Sequence, residues 1–191
     1  MVQTKNPAPD PMSAALAQDL EASFEALVRQ YQDRLYSFAL RLTGHREDAE
    51  EIAQDAFVRA YRALKTYRSG RIRDLALKAW LYRITLNVAR NRLRGRRRVF
   101  VPLEHWSAED DPGSRPDARL ESSRRRADIA TLVAGLPERY RNAIVLRYVE
   151  GLRIEDVSAV LKQPLGTTKS NLHRAVNALR AAITESRRAR R

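Results

Sequence analysis

The chain has 191 residues and no cysteine, with 36 Lys and Arg against 23 Asp and Glu for a formal net charge of +13. Disulfide frameworks and thiolate metal sites are excluded. No apolar run approaches the roughly 20 residues that cross a bilayer, and no apolar stretch follows Lys5 to make a secretory signal. The expectation is a cytoplasmic protein of one large or two small domains. Its excess of cations suits a polyanionic partner, since each phosphate contact releases condensed counterions.

Residues 1–19 carry Pro7, Pro9 and Pro11 among small and polar side chains. They read as a flexible leader that joins the fold near Leu20. From Glu21 to Leu42, Phe24, Leu27, Val28, Tyr31, Leu35, Phe38, Ala39 and Leu42 recur at steps of three and four, an amphipathic helix that Gly44 caps. A second helix is expected from about Glu47 to Thr66, with Ala49, Ile52, Ala53, Ala56, Phe57, Ala60 and Leu64 inward. Its outer face gathers Asp48, Glu51, Gln54 and Asp55, an acidic patch on a basic protein. Complementation of the helix dipole explains Asp48, but less well Asp55, two turns in.

Tyr67–Asp74, with Ser69-Gly70 and the cations Arg68, Arg71 and Arg73, reads as a loop. Helix resumes from Leu75 to about Arg94 and runs into a stretch with seven arginines between Arg83 and Arg98. One sign packed this densely requires an anion nearby. Tyr82 and Asn87 are interleaved with Arg90 and its neighbours, offering a stacking surface and a base-edge hydrogen bonder to single-stranded DNA. Five residues apart, the two lie about 140° apart around a helix. Core packing is the other reading of both local aromatics, and the favoured one for Trp80.

Residues 99–119, with Pro102, Pro112, Gly113, Pro116 and the acidic run Glu109-Asp110-Asp111, mark a flexible linker. A helix over Leu120–Ala134 and another over Arg139–Glu150 follow, ended by Gly135 and Gly151. Next comes LRIEDVSAVLKQPLGTTKSNLHRA, residues 152–175, two short helices about a tight turn. Pro164 is expected to stop the first and Thr167 to cap the second. Thr168, Leu172, Ala175, Val176, Leu179 and Ile183 share one face of the second helix, while Thr167, Ser170, Asn171 and Arg174, flanked by Lys169 and His173, take the other. This is a helix-turn-helix whose polar, cationic second helix suits the major groove. Residues 186–191 form a basic tail.

Leu136-Pro137, Arg141, Leu146-Arg147, Gly151, Pro164, Gly166-Thr167, Lys169-Ser170 and His173-Arg174 fall in one register, and the region they span resembles the C-terminal promoter-binding region of bacterial sigma factors. Ser158, Lys162 and Thr168 depart from the commonest pattern, in which alanine, glycine and valine stand. A left-handed Lys162 would cost roughly 1–2 kcal/mol. DAEEIAQDAFVRAY resembles the segment that docks on the clamp helices of RNA polymerase, and WLYRITLNVARN the segment of extracytoplasmic-function (ECF) sigma factors that melts and reads the minus-ten element.

The resemblance implies an all-α chain of two helical domains joined by a flexible linker, with residues 20–98 as sigma region 2 and 120–185, a helix-turn-helix, as sigma region 4. Under it, Asp48, Glu51, Gln54 and Asp55 contact core polymerase. Arg68, Arg71, Arg73, Tyr82, Asn87 and Arg90 hold minus-ten DNA, with a flipped base taken at Tyr67–Asp74. Thr167, Lys169, Ser170, Asn171, His173 and Arg174 read the minus-thirty-five duplex. The implied partners are core RNA polymerase, promoter DNA and an anti-sigma factor, with no small-molecule substrate and no membrane insertion.

No catalytic constellation, metal site or cofactor is expected. His45, His105 and His173 are scattered, and there is no glycine-rich phosphate loop. A nuclease built on Glu109–Asp111 would need metal-dependent cleavage. A stand-alone helix-turn-helix regulator would leave the acidic face and the Tyr82/Asn87/arginine stretch without a role.

Overall fold

The computed structural model describes residues 10–94 and 128–189, and within them it is helical throughout. The acidic linker residues Glu109–Asp111, His105, Arg96–Arg98 and residues 1–9 lie outside this set, as does most of the helix expected from Leu120. The described residues divide into two units, one built on residues 10–40 and 46–94, the other on residues 41–45 and 128–189.

The first unit opens with a helix that the leader reading missed. α1 spans Pro11–Gln18. Asp10 caps it, its carboxylate accepting from the Met12 N–H at 2.9 Å, and Pro11 occupies the first turn, where a missing N–H costs nothing. Ser13, Leu16 and Ala17 are buried. The residues taken as flexible are therefore integral to the unit from Pro11 onward.

α2 (Leu20–Thr43) and α3 (Arg46–Thr66) follow the expected periodicity. Leu27, Tyr31, Leu35 and Phe38 of α2, and Ile52, Ala56, Phe57 and Leu64 of α3, are buried, and Gly44 adopts a φ of 75° between the two helices. The segment read as a loop contains a short helix, α4 (Ser69–Arg73), pinned by the buried Ile72. α5 (Leu77–Arg92) packs on α3. Its buried set is wider than one stripe, comprising Leu77, Ala79, Trp80, Leu81, Tyr82, Thr85, Leu86, Val88 and Ala89.

In the second unit, residues 128–134 are helical (α6) and α7 spans Glu138–Ile144. The expected helix to Glu150 continues, but as a π-helical turn over Val145–Val149, closed by the Glu150 N–H on the Val145 carbonyl at 3.0 Å. Gly151 then takes a φ of 65°. α8 (Ile154–Leu161) and α9 (Leu165–Ala189) form the helix-turn-helix. Val157, Val160 and Leu161 of α8 are buried in this unit, as are Thr168, Leu172 and Ala175 of α9.

The turn differs from expectation in its chemistry. Lys162, rather than Pro164, ends α8, in the left-handed conformation at φ 54°, ψ 48°. Pro164 immediately precedes α9 and accepts the Thr168 N–H at 3.0 Å, so Thr167 lies inside the helix rather than at its cap. Two side chains brace the strained turn. Ser158 Oγ donates to the Gln163 carbonyl at 2.6 Å, and Asn171 Nδ2 donates to Gln163 Oε1 at 3.1 Å.

Candidate polymerase and nucleic-acid interfaces

Three surfaces emerge from these helices. The first is the outer face of α3. Glu51 and Gln54 are exposed and Asp55 half-exposed, as expected for a docking face. Asp48 differs. Its side chain is only 13% exposed and accepts from Arg92 Nε of α5 at 2.7 Å. Arg92 also pairs with Glu51 through its Nη2. These two carboxylates favour the charged guanidinium, Asp48 contributing most, and hold Arg92 above its usual pKa. Asp55 is gripped by Arg59 one turn on, with Nε 3.1 and 3.0 Å from its two oxygens. The acidic face is thus partly neutralised from within, and Asp48 supports it more than it presents itself.

Beyond Asp55 the same helix borders an open groove of about 460 Å³ against α2, lined by Phe24, Phe57, Val58 and Tyr61. Phe24 meets Tyr61 edge-on at 4.9 Å, and Tyr61 donates to Glu21 at 2.6 Å. That hydrogen bond, seconded by Lys65, holds the exposed Glu21 carboxyl below its usual range.

The second surface comprises α4 and the outer side of α5. Arg68, Arg71 and Arg73 are exposed, and the Arg71 guanidinium lies over the Tyr67 ring at 3.7 Å. Tyr67 in turn tilts against Trp80 at 6.1 Å. Asn87 and Arg90 are partly exposed on α5. Tyr82 corrects the sequence reading. It is fully buried, edge-to-face with Phe38 at 5.1 Å, and offers no stacking surface. The aromatic platform at this surface is Tyr67 under Arg71, whose aromatic–arginine pairing is visible in the sequence as Y-R-S-G-R.

The third surface is the outer face of α9. Thr167, Lys169, Ser170, His173 and Arg174 are all exposed. Asn171 is a second correction. It is 7% exposed and its amide is committed to Gln163, so it faces α8 and sets the turn. Asn177, one turn beyond His173, takes a place on the exposed face within 3.4 Å of the His173 ring. The sequence reading also missed Arg139 and Tyr140 of α7. Arg139 donates to the Tyr140 hydroxyl at 3.2 Å. With a second hydrogen bond from Arg174, this favours the phenolate and lowers the Tyr140 pKa, joining α7 to the cationic face of α9.

Among the described residues no group of three His, Asp or Glu side chains is placed to hold a metal, and no helix is long and apolar enough to cross a membrane.

Comparison with known proteins divides the chain at the same place. Residues 27–99 match the family model for sigma-70 region 2, and residues 126–179 that for sigma-70 region 4. The chain is 36% identical over 160 residues to the ECF RNA polymerase sigma factor SigE of Mycolicibacterium smegmatis, covering 83% of this chain and 60% of that protein. It is 35% identical over 170 residues to the RNA polymerase sigma-H factor of Pseudomonas aeruginosa, covering 84% and 86%. Among solved structures, CnrH in complex with the cytosolic domain of CnrY is similar, with 26% identity, a TM-score of 0.62 and coverage of 91% and 96%. RpoE in complex with the anti-sigma factor NepR from Bartonella quintana shares the fold, at 24% identity, a TM-score of 0.61 and coverage of 84% and 96%.

Proposed function

We propose that this chain, which belongs to the ECF RNA polymerase sigma factors of the sigma-70 family, directs promoter-specific transcription initiation by docking on core polymerase and contacting promoter DNA with two separate helical units. The observation that carries this reading is one chain's possession of both an acidic protein-docking face and two cationic faces of different geometry. On α3, Glu51, Gln54 and Asp55 run into the apolar groove at Phe57 and Val58. An apolar centre with a charged rim is the composition that protein interfaces bury, which supports core polymerase as its partner.

The α9 face suits duplex DNA upstream. Lys169 and Arg174 supply phosphate or guanine contacts, and Ser170 and His173 reach base edges from a helix narrow enough for the major groove. The α4–α5 face suits an unpaired strand. Arg71 and Tyr67 present a stacked cation and ring, while Asn87 is a donor and acceptor for a Watson–Crick edge exposed only after melting. Every step is binding, so the chain needs no catalytic group of its own and acts in the cytoplasm beside polymerase. A stand-alone regulator built on α8 and α9 would explain only the second unit. The family also supports control by an anti-sigma factor covering one of these faces.

The test is in vitro transcription with core polymerase and this protein on a library of genomic fragments. Discrete start sites that require the added protein support the reading, with Glu51→Lys and Asp55→Lys lowering co-purification with core. Core binding unaffected by both reversals would remove α3 as the docking face.

A further inference from the structure

α4 is the least self-sufficient element at the DNA-facing surface. It has five residues, too few to close more than one turn, and an isolated turn this short does not persist in water. Its N-cap, Arg68, makes no side-chain capping hydrogen bond, and Gly70 adds backbone freedom inside it. Arg68, Arg71 and Arg73 repel one another along it. Its order must come from what packs against it.

That support is α1. The two helices lie directly against each other, with Leu16 fully buried on α1 and Ile72 buried on α4. One polar contact fixes their register. Ser13 Oγ, itself fully buried, donates at 3.2 Å to the carbonyl of Leu75, the middle of the three residues between α4 and α5. The same residue is tied to α4 by its backbone, the Leu75 N–H donating to the Ile72 carbonyl at 3.1 Å. At its other end, α1 is held by Asp10, whose charge adds to burial in raising the pKa of the buried Tyr31 of α2. α1 therefore reaches from the body of the unit to the junction between α4 and α5.

We propose that α1 is a brace that holds α4 in its DNA-reading form, with Ser13 as a positioning residue for minus-ten sequence choice. Neither Ser13 nor Leu16 faces DNA; each acts through α4. This rests on the reading of α4 as a single-strand contact, and the experiment separates the two.

Holoenzyme assembled from core polymerase and the full chain is incubated with a randomised single-stranded DNA pool, and bound sequences are read. Variants Ser13→Ala, Leu16→Ala and Arg71→Ala are compared with the native chain, with core affinity measured in parallel. Ser13→Ala is expected to flatten sequence enrichment by roughly 2- to 10-fold, the worth of one intramolecular hydrogen bond, with core affinity unchanged. Leu16→Ala should flatten it further, and Ser13→Thr, which keeps the hydroxyl, should recover part of the loss. If Arg71→Ala abolishes enrichment while Ser13→Ala and Leu16→Ala enrich as the native chain does, the brace is wrong and the α4 reading stands. If enrichment and core affinity fall together, α1 merely stabilises the whole unit and the proposal is overturned. If the native holoenzyme enriches nothing, or Arg71→Ala changes nothing, the α4 reading falls and the brace falls with it.

Discussion

Lys162 offers a calculation that can be checked. Its φ of 54° and ψ of 48° place a β-carbon where only glycine is comfortable, at a cost of roughly 1–2 kcal/mol. Lys162→Gly removes that strain but frees the unfolded chain, which returns about 0.4–1 kcal/mol. The balance is a stabilisation on the order of 0.8 kcal/mol, or about 3–6 °C in the melting of a unit of this size. Lys162 is exposed and its backbone N–H donates to the Ser158 carbonyl, a bond that glycine keeps. Lys162→Ala is the control, because alanine keeps the β-carbon and drops the charge. Thermal unfolding followed by helical circular dichroism, with amide exchange in α8 and α9 to locate the effect, measures all three. A glycine variant no more stable than the alanine variant would show that the left-handed turn carries no strain.

Arg174→Ala should weaken upstream duplex binding by about 1–3 kcal/mol if its base contact is bidentate, and flatten the salt dependence if it is a phosphate contact. Asn171→Ala should instead cost about 1 kcal/mol of stability in urea titration, the loss of its Gln163 partner, and leave the salt slope of binding unchanged. Tyr82→Ala should destabilise the first unit by about 3–5 kcal/mol, seen as a lower denaturant midpoint, because it empties a fully buried site against Phe38. Tyr140 titrates below the ordinary tyrosine range because Arg139 and Arg174 favour its anion. Upstream DNA binding should therefore weaken as pH rises into the alkaline range, where a phenolate beside Arg174 repels phosphate. Tyr140→Phe should abolish that dependence in a fluorescence anisotropy titration.

Periodicity found the long helices because burial imposes it. Leu27, Tyr31, Leu35 and Phe38 repeat at intervals that nothing but a packed helix face requires. It failed where more than one face is covered. α5 is buried on Tyr82 and Leu86 as well as on Leu77, Leu81 and Val88, so an aromatic set among arginines was taken for a surface group. Composition misled at α1, where Asp10-Pro11 is a helix start but three prolines in a row of small residues suggest disorder. The exposed charged faces of α3 and α9 were legible because the apolar stripe at helical spacing fixes which side of each helix is buried and leaves the charged residues to solvent. The partners of those residues were not legible. Arg92 meets Asp48 across 44 positions, and no local pattern announces it. The π turn at Val145 is equally silent, since the apolar residues around it satisfy either winding.

The pairing of the α3 acids has a kinetic consequence. Asp48, Glu51 and Asp55 carry three negative charges, and Arg92 and Arg59 return two, so these five side chains together present a net of one negative charge to a distant partner. Beyond the roughly 10 Å over which charges act at 0.1 M salt, such a face is almost mute. The chain as a whole carries +13, so although its field is screened over the same length it is much the stronger of the two. Its field favours encounter with nucleic acid, and under the docking proposed above the acidic face acts only on close approach, Glu51 exchanging Arg92 for a basic group while Asp48 keeps the arginine in place. On this reading, free molecules are expected to divide between unspecific DNA and polymerase according to ionic strength. Raising salt loosens the former steeply and the latter little, so a modest rise in salt sends more of the chain to the enzyme.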